Sequence, residues 1–184
     1  MRALVVYESM FGNTEKLAEV IAQGIGTVMP TEICEVGEAP QTLAADIDLL
    51  VVGAPTHAHG LSRPSTRGEA EMMAAAAETH VRSEGIGVRE WLAGLESGRT
   101  LSAAFDTHVS LSLPGRAARS IERRFQRLGL RVLDSRSFPV KGKIGPITDA
   151  ELVKARRWAE SLASTALAFD STEADSTEAG RTAD

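Results

Sequence analysis

Seven consecutive residues, Glu8-Ser9-Met10-Phe11-Gly12-Asn13-Thr14, gather small polar groups around a glycine. A phosphate ester needs close backbone approach and several hydrogen-bond donors. Gly12 allows the approach, Ser9 and Thr14 supply hydroxyls, and Asn13 supplies an amide. A helix beginning here would add its free N–H groups and the positive end of its dipole. The loop has no lysine, so it is not the Gly-Lys-Ser/Thr cradle of a nucleoside triphosphatase. Nor does it carry the Gly-x-Gly-x-x-Gly spacing of a dinucleotide site. A bland alternative stands beside the phosphate reading: Ser9, Asn13 or Thr14 could cap a helix with no ligand at all. A cap needs one such residue, and here several surround a glycine.

A second set lies further along. Gly53-Ala54-Pro55-Thr56-His57-Ala58-His59-Gly60 and Ala104-Phe105-Asp106-Thr107-His108-Val109-Ser110 each follow an apolar run. His57, His59, His108 and Asp106 would supply three or four metal ligands if the loops converged. No cysteine or further carboxylate cluster supports a metal, and none is expected. A phosphorelay receiver would need an acidic cluster after the first run, where Glu8 stands alone. It would also need an acceptor aspartate where Gly53-Ala54-Pro55 stands. No residue is an evident nucleophile or general base, so no catalytic residue is assigned.

The elements that must position these loops are legible as five apolar runs, Ala3–Tyr7, Thr31–Val36, Asp48–Val52, Thr100–Phe105 and Arg131–Val140. Helical spacing separates most of them. Leu17, Val20, Ile21 and Ile25 share one face, as do Ala117, Ala118, Ile121, Phe125 and Leu128, and Leu152, Ala155, Ala159, Leu162, Ala163 and Ala166. The stretch from Gly53 to Arg99 is too long for a bare loop and is expected to hold two helices, Thr66–His80 and one around Val88, Trp91, Leu92 and Leu95. Strands alternating with helices predict a single-domain α/β fold, a doubly wound, five-stranded parallel sheet covered on both faces. In such sheets ligands bind beyond the strand carboxyl ends where the winding reverses. The domain is expected over residues 1–168. Residues 169–184, which repeat Asp-Ser-Thr-Glu-Ala from Asp170, are expected to be a disordered acidic and polar tail.

The segment Val5-Val6-Tyr7-Glu8-Ser9-Met10-Phe11-Gly12-Asn13-Thr14-Glu15 resembles the FMN phosphate loop of the flavodoxins, in which a Ser/Thr-rich turn ends in Gly-x-Thr. Met10 and Phe11 replace threonines common there, which removes side-chain donors but keeps the backbone N–H groups. Gly53 to Gly60 is similar to the flavodoxin segment Gly-Ser-Pro-Thr-aromatic, which packs along one side of the flavin. Phe105-Asp106-Thr107-His108 falls where the family's second flavin-contacting loop lies. The likeness implies a flavodoxin-like fold of the short-chain type and FMN as cofactor. It places Ser9, Met10, Phe11, Gly12, Asn13 and Thr14 on the phosphate. Pro55, Thr56, His57 and Gly60 would line one side of the ring, and Phe105, Asp106, Thr107 and His108 the other. Histidine at 57 and 108, where the family carries ring-stacking aromatics, puts a protonatable group beside the flavin.

Composition sets the remaining bounds. A net charge of −5 and 4% aromatic residues argue against nucleic acid as a partner. No apolar run is long enough to span a bilayer, and Met1–Tyr7 reads as a strand with no cleavage-type sequence after it. The single cysteine, Cys34, reads as a small buried hydrophobe and suits a reducing cytoplasm. Arg63 and Arg67 stand just after the 53–60 segment. Arg116, Arg119, Arg123, Arg124, Arg127 and Arg131 read as a solvated basic face, or as a docking face for an acidic redox partner. The expected function is electron transfer by an FMN-binding flavodoxin-like protein, between a reductase and an acceptor. The alternatives are an FMN-dependent reductase of quinone-type acceptors and a flavin-free interaction module.

Overall fold

The structure, a computed structural model, describes the chain except residues 59, 97, 99, 110–114, 143 and 182–184, with the backbone alone over 170–181. Five strands, β1 (Ala3–Tyr7), β2 (Thr31–Glu35), β3 (Leu49–Pro55), β4 (Leu101–Val109) and β5 (Arg131–Val140), form one sheet in the order β2-β1-β3-β4-β5. Every neighbouring pair is parallel. Five helices, α1 (Asn13–Ile25), α2 (Pro64–Ala76), α3 (Val88–Gly94), α4 (Ala117–Arg127) and α5 (Asp149–Arg181), make or flank the crossovers.

The apolar runs of β1 and β3 are buried without a break because both sheet faces are covered. Alternation sorts their side chains between two cores. Ala3, Val5, Leu49, Val51, Ala103 and Phe105 pack under α1 and α5, against Leu17, Ile21, Ile25, Trp158, Ala159 and Leu162. Leu4, Val6, Leu50, Val52, Ala54 and Ala104 pack under α3 and α4, against Val88, Trp91, Leu92, Ile121 and Phe125. The helical stripes expected from the sequence are the faces these helices bury.

Two strands outrun their expected ends. β3 continues to Pro55 and β4 to Val109, because the backbone of Gly53–Pro55 pairs with Phe105–Thr107 and that of Phe105–Val109 with Arg136–Val140. Residues 105–108 are therefore strand, not loop, and their side chains alternate between faces. Cys34 is half-buried on the edge strand β2. Burial, and then Glu35, Glu38 and Glu32, push its thiol up to about 11, which keeps it protonated. The helical backbone of α5 runs through the expected tail as far as Arg181, a continuation that alanine and glutamate favour. Ala166 is the last α5 residue in the core. Among the described residues no helix is long and apolar enough to cross a membrane.

The chain winds outward from β1 to β2, then returns across β1 to β3. The loops leaving β1 and β3 consequently part in opposite directions. The gap they open lies at the carboxyl edge of the sheet.

Candidate functional site

The loop after β1 turns into α1 at Gly12, whose φ of 84° lies in the left-handed region that glycine adopts without strain. Among the described residues no side chain caps α1. The residues that could have done so are engaged elsewhere. Ser9 Oγ accepts from the Gly12 N–H at 3.1 Å. The Asn13 amide donates to the Gly145 carbonyl at 2.8 Å, and its oxygen accepts from the Ile147 N–H at 2.8 Å. Thr14 Oγ1 shares a hydrogen bond with Thr107 Oγ1 at 2.9 Å. The first-turn amides of α1, which have no intrahelical acceptor, are thus left for a ligand. Asn13 clamps the loop after β5 and also lines the cleft.

The segment before α3 is wired to the same loop. Ser83 N–H donates to the Ser9 carbonyl and Arg82 N–H to that of Met10, while Ser83 Oγ accepts from the Ser9 N–H. Arg82 brings a guanidinium to Glu15, 3.6 Å away in the first turn of α1. Its charge offsets the one acidic group there that would repel an anion. The sequence reading did not identify Arg82, which lies in an irregular stretch whose position tertiary pairing decides.

Behind the loop sits a buried polar network. The fully buried Glu8 carboxylate accepts from the Val88 N–H at 2.9 Å, and its Oε1 has no hydrogen-bond partner among the described residues. Burial is the main influence holding its carboxyl above the ordinary value of 4.5; the Ser62 hydroxyl, the Val88 amide and Arg67 pull the other way. Arg67 is buried and bonds Ser62 Oγ at 3.0 Å and Glu90 Oε2 at 3.1 Å. It therefore ties α2 to α3 and does not reach out toward a ligand. Tyr7, at the end of β1, is pushed up to about 12 by its burial and then by Glu15, whose Oε1 lies 3.4 Å from its hydroxyl.

The turn after β3 is closed by paired bonds between His57 and Gly60, both 2.8 Å. Thr56 Oγ1 accepts from the Ala117 N–H at 2.9 Å, so this hydroxyl caps α4 and keeps its own proton for a second partner. From β4, Thr107 and His108 face the gap. Phe105 and Asp106 do not. Phe105 is fully buried under α5, edge-on to Trp158 with ring centroids 6.4 Å apart. Asp106 is fully buried, and its Oδ2 accepts from the Ala118 N–H of α4 at 2.9 Å. Both departures follow from the extra length of β4.

These loops enclose a cleft of about 330 Å³, within the range of small-molecule sites. Ser9, Met10, Phe11, Asn13 and Thr14 line it from the first loop, Pro55, Thr56 and His57 from the second, and Thr107 and His108 from β4. Gly12 and Gly60 shape the turns without lining it. A further wall comes from α2, within the long stretch between the third and fourth runs, through Thr66, Glu69, Ala70 and Met73; Val109, Arg116 and Val140 also line the cleft. Helical spacing of Thr66, Ala70 and Met73 was the available signal, but nothing in it says which face meets a ligand. His59, Ser110, Leu113 and Pro114 lie outside the described residues. Among the described residues, no three His, Cys, Asp or Glu side chains gather as a metal site.

The donor set fits a phosphate ester at the uncapped α1 terminus. Pro55–His57 and Thr107–Val109, with Met10 and Met73, line the cleft with surfaces that suit a flat, largely apolar ring. FMN has both parts, and the residues are compatible with it.

No protein-family model and no curated protein matches the chain. Solved structures do. An archaeal flavodoxin is 20% identical with a TM-score of 0.59, over 90% of this chain and 99% of that one. Oxidised flavodoxin 1 from Bacillus cereus is 17% identical with a TM-score of 0.62, over 88% and 97%. A flavone reductase is 11% identical with a TM-score of 0.61, over 92% of this chain and 64% of that one. The fold is flavodoxin-like.

Proposed function

We propose that this flavodoxin-like domain binds FMN non-covalently and carries electrons between a reductase and an acceptor. The observation that carries the reading is the start of α1: its N-cap is Gly12, the side chains of Ser9, Asn13 and Thr14 are engaged elsewhere, and the helix begins at the switch point of the sheet. When bound, the flavin supplies the redox chemistry, and the protein sets its position and potential. The backbone N–H groups of Met10, Phe11, Asn13 and Thr14 hold the phosphate, with the helix dipole adding positive charge and Arg82 offsetting Glu15. Pro55, Thr56 and His57 flank the ring on one side, and Thr107 and His108 on the other. Gly12, Gly60, Phe105 and Asp106 shape and brace these walls from behind. The fold shared with flavodoxins supports this reading, and Cys34, the single cysteine, suits the reducing cytoplasm as its compartment. The test is a visible spectrum after incubation with excess FMN and desalting. Retained flavin bands support the reading; a colourless protein with no uptake leaves a flavin-free interaction module.

The α2 wall favours a second reading, an FMN-dependent reductase of quinone-type acceptors. Thr66, Glu69, Ala70 and Met73 line the same cleft as the phosphate and ring loops, where they would meet an acceptor bound beside the ring. NAD(P)H turnover with a quinone, with no added reductase, would support it over the carrier.

A further inference from the structure

Asp106 and His108 stand two residues apart on β4, so their side chains leave the same face of the sheet. Asp106 Oδ1 and His108 Nδ1 lie 3.5 Å apart. Both atoms are buried, and neither has a hydrogen-bond partner among the described residues. The other carboxylate oxygen of Asp106 is fixed by the Ala118 N–H, so the side chain cannot turn away. His108 keeps 13% of its side chain exposed and lines the cleft. A buried carboxylate facing one ring nitrogen selects the tautomer protonated there and leaves the other nitrogen as an acceptor. The separation is longer than a made bond, as catalytic contacts often are before a ligand closes them.

We propose that Asp106 is a positioning residue for His108: it accepts a hydrogen bond from Nδ1–H and presents Nε2 to the cleft as the nitrogen that gains and releases a proton. The dyad needs no ligand. Its consequence for a flavin rests on the FMN reading: reduction adds negative charge to the ring, and a proton taken up at Nε2 offsets it. The charged or titratable groups sharing the cleft are His57 from the turn after β3, Glu69 from α2 and Arg116 at the start of α4; β5 sets Pro139 beside His108.

Two measurements test this, one independent of cofactor. Long-range proton–nitrogen correlation spectra of the ligand-free chain should show His108 protonated on Nδ1. In Asp106→Asn the carboxamide oxygen still accepts from Ala118 while its NH2 group faces Nδ1, and the proton should move to Nε2. An Nε2-protonated His108 in the unaltered chain overturns the proposal even if the variant fails to fold, as does the same tautomer in both proteins. With FMN bound, Asp106→Asn and His108→Gln should each lower the flavin potential, and the double variant should lower it no further. A shift in Asp106→Asn that persists in full on top of His108→Gln overturns the coupling. Failure to bind FMN would sink the proposed function, while the tautomer would still decide the dyad.

Discussion

The hydroxyls of Thr14 and Thr107 meet at 2.9 Å with both residues almost wholly buried, pinning the first turn of α1 to the end of β4. The two walls of the cleft are thereby held at fixed separation. One of the two hydroxyl protons makes the bond, and the other is available to a ligand. Thr14→Val strands the Thr107 hydroxyl and should cost about 1–3 kcal/mol in urea unfolding. Thr14→Val with Thr107→Val together should cost less than the sum of the single changes, because no buried hydroxyl is left without a partner. Additive costs would show that the pair is not coupled.

Gly53 lies beneath the ring of Phe105, where an added Cβ would fall 2.0 Å from Phe105 Cζ. Gly53→Ala should destabilise the protein by about 3 kcal/mol. Phe105→Leu in the same chain should recover part of the loss, since the obstruction is the ring. Unfolding midpoints of the single and double variants measure this.

Glu8 gives stability a pH dependence of definite sign. Burial raises its folded pKa above the unfolded 4.5, so between those values the folded state holds more protons than the unfolded one. Its stabilising contribution is complete below 4.5 and is lost as pH rises through the folded value. Glu8→Gln keeps an acceptor for the Val88 N–H and removes the titration. Urea midpoints of the unaltered chain should therefore fall relative to Glu8→Gln as pH rises from about 4.5. A gap between the two proteins that does not change with pH would contradict this.

Gly12→Ala tests the turn itself. Its Cβ would meet nothing nearer than Glu15 Oε2 at 3.8 Å, so the penalty is the φ of 84° and not a collision. The expected cost is about 1–2 kcal/mol of stability. FMN affinity should fall about tenfold, because relaxing the turn re-aims the first-turn amides. Unchanged affinity would mean that the turn does not set their direction.

Sheet and helices were legible because burial on both faces leaves unbroken apolar runs, as in Leu49–Val52, and helical stripes mark the faces that cover them. The turn from β1 into α1 was legible because glycine and small polar residues cluster at a strand end. The ring walls were read less well. Ending the fourth run at Phe105 left residues 106–108 beyond the strand and put Phe105 on one surface with them; carrying the strand to Val109 sends Phe105 to one face of the sheet and Asp106 to the other. That same alternation, Asp-x-His within a strand, was the signal for the Asp106–His108 pair. The helical spacing of α2 was legible but not the face it turns to the cleft, and Arg82 left no local mark, since its place is decided by hydrogen bonds such as its N–H to the Met10 carbonyl.

The most direct test of the FMN reading is a paired titration of the purified, flavin-free protein with FMN and with riboflavin, followed by flavin fluorescence. The two ligands share the ring and differ by the phosphate that the α1 terminus is argued to hold. FMN should bind at least tenfold more tightly, with the difference reduced in Gly12→Ala. Equal affinity for both, or no binding of either, would contradict the account.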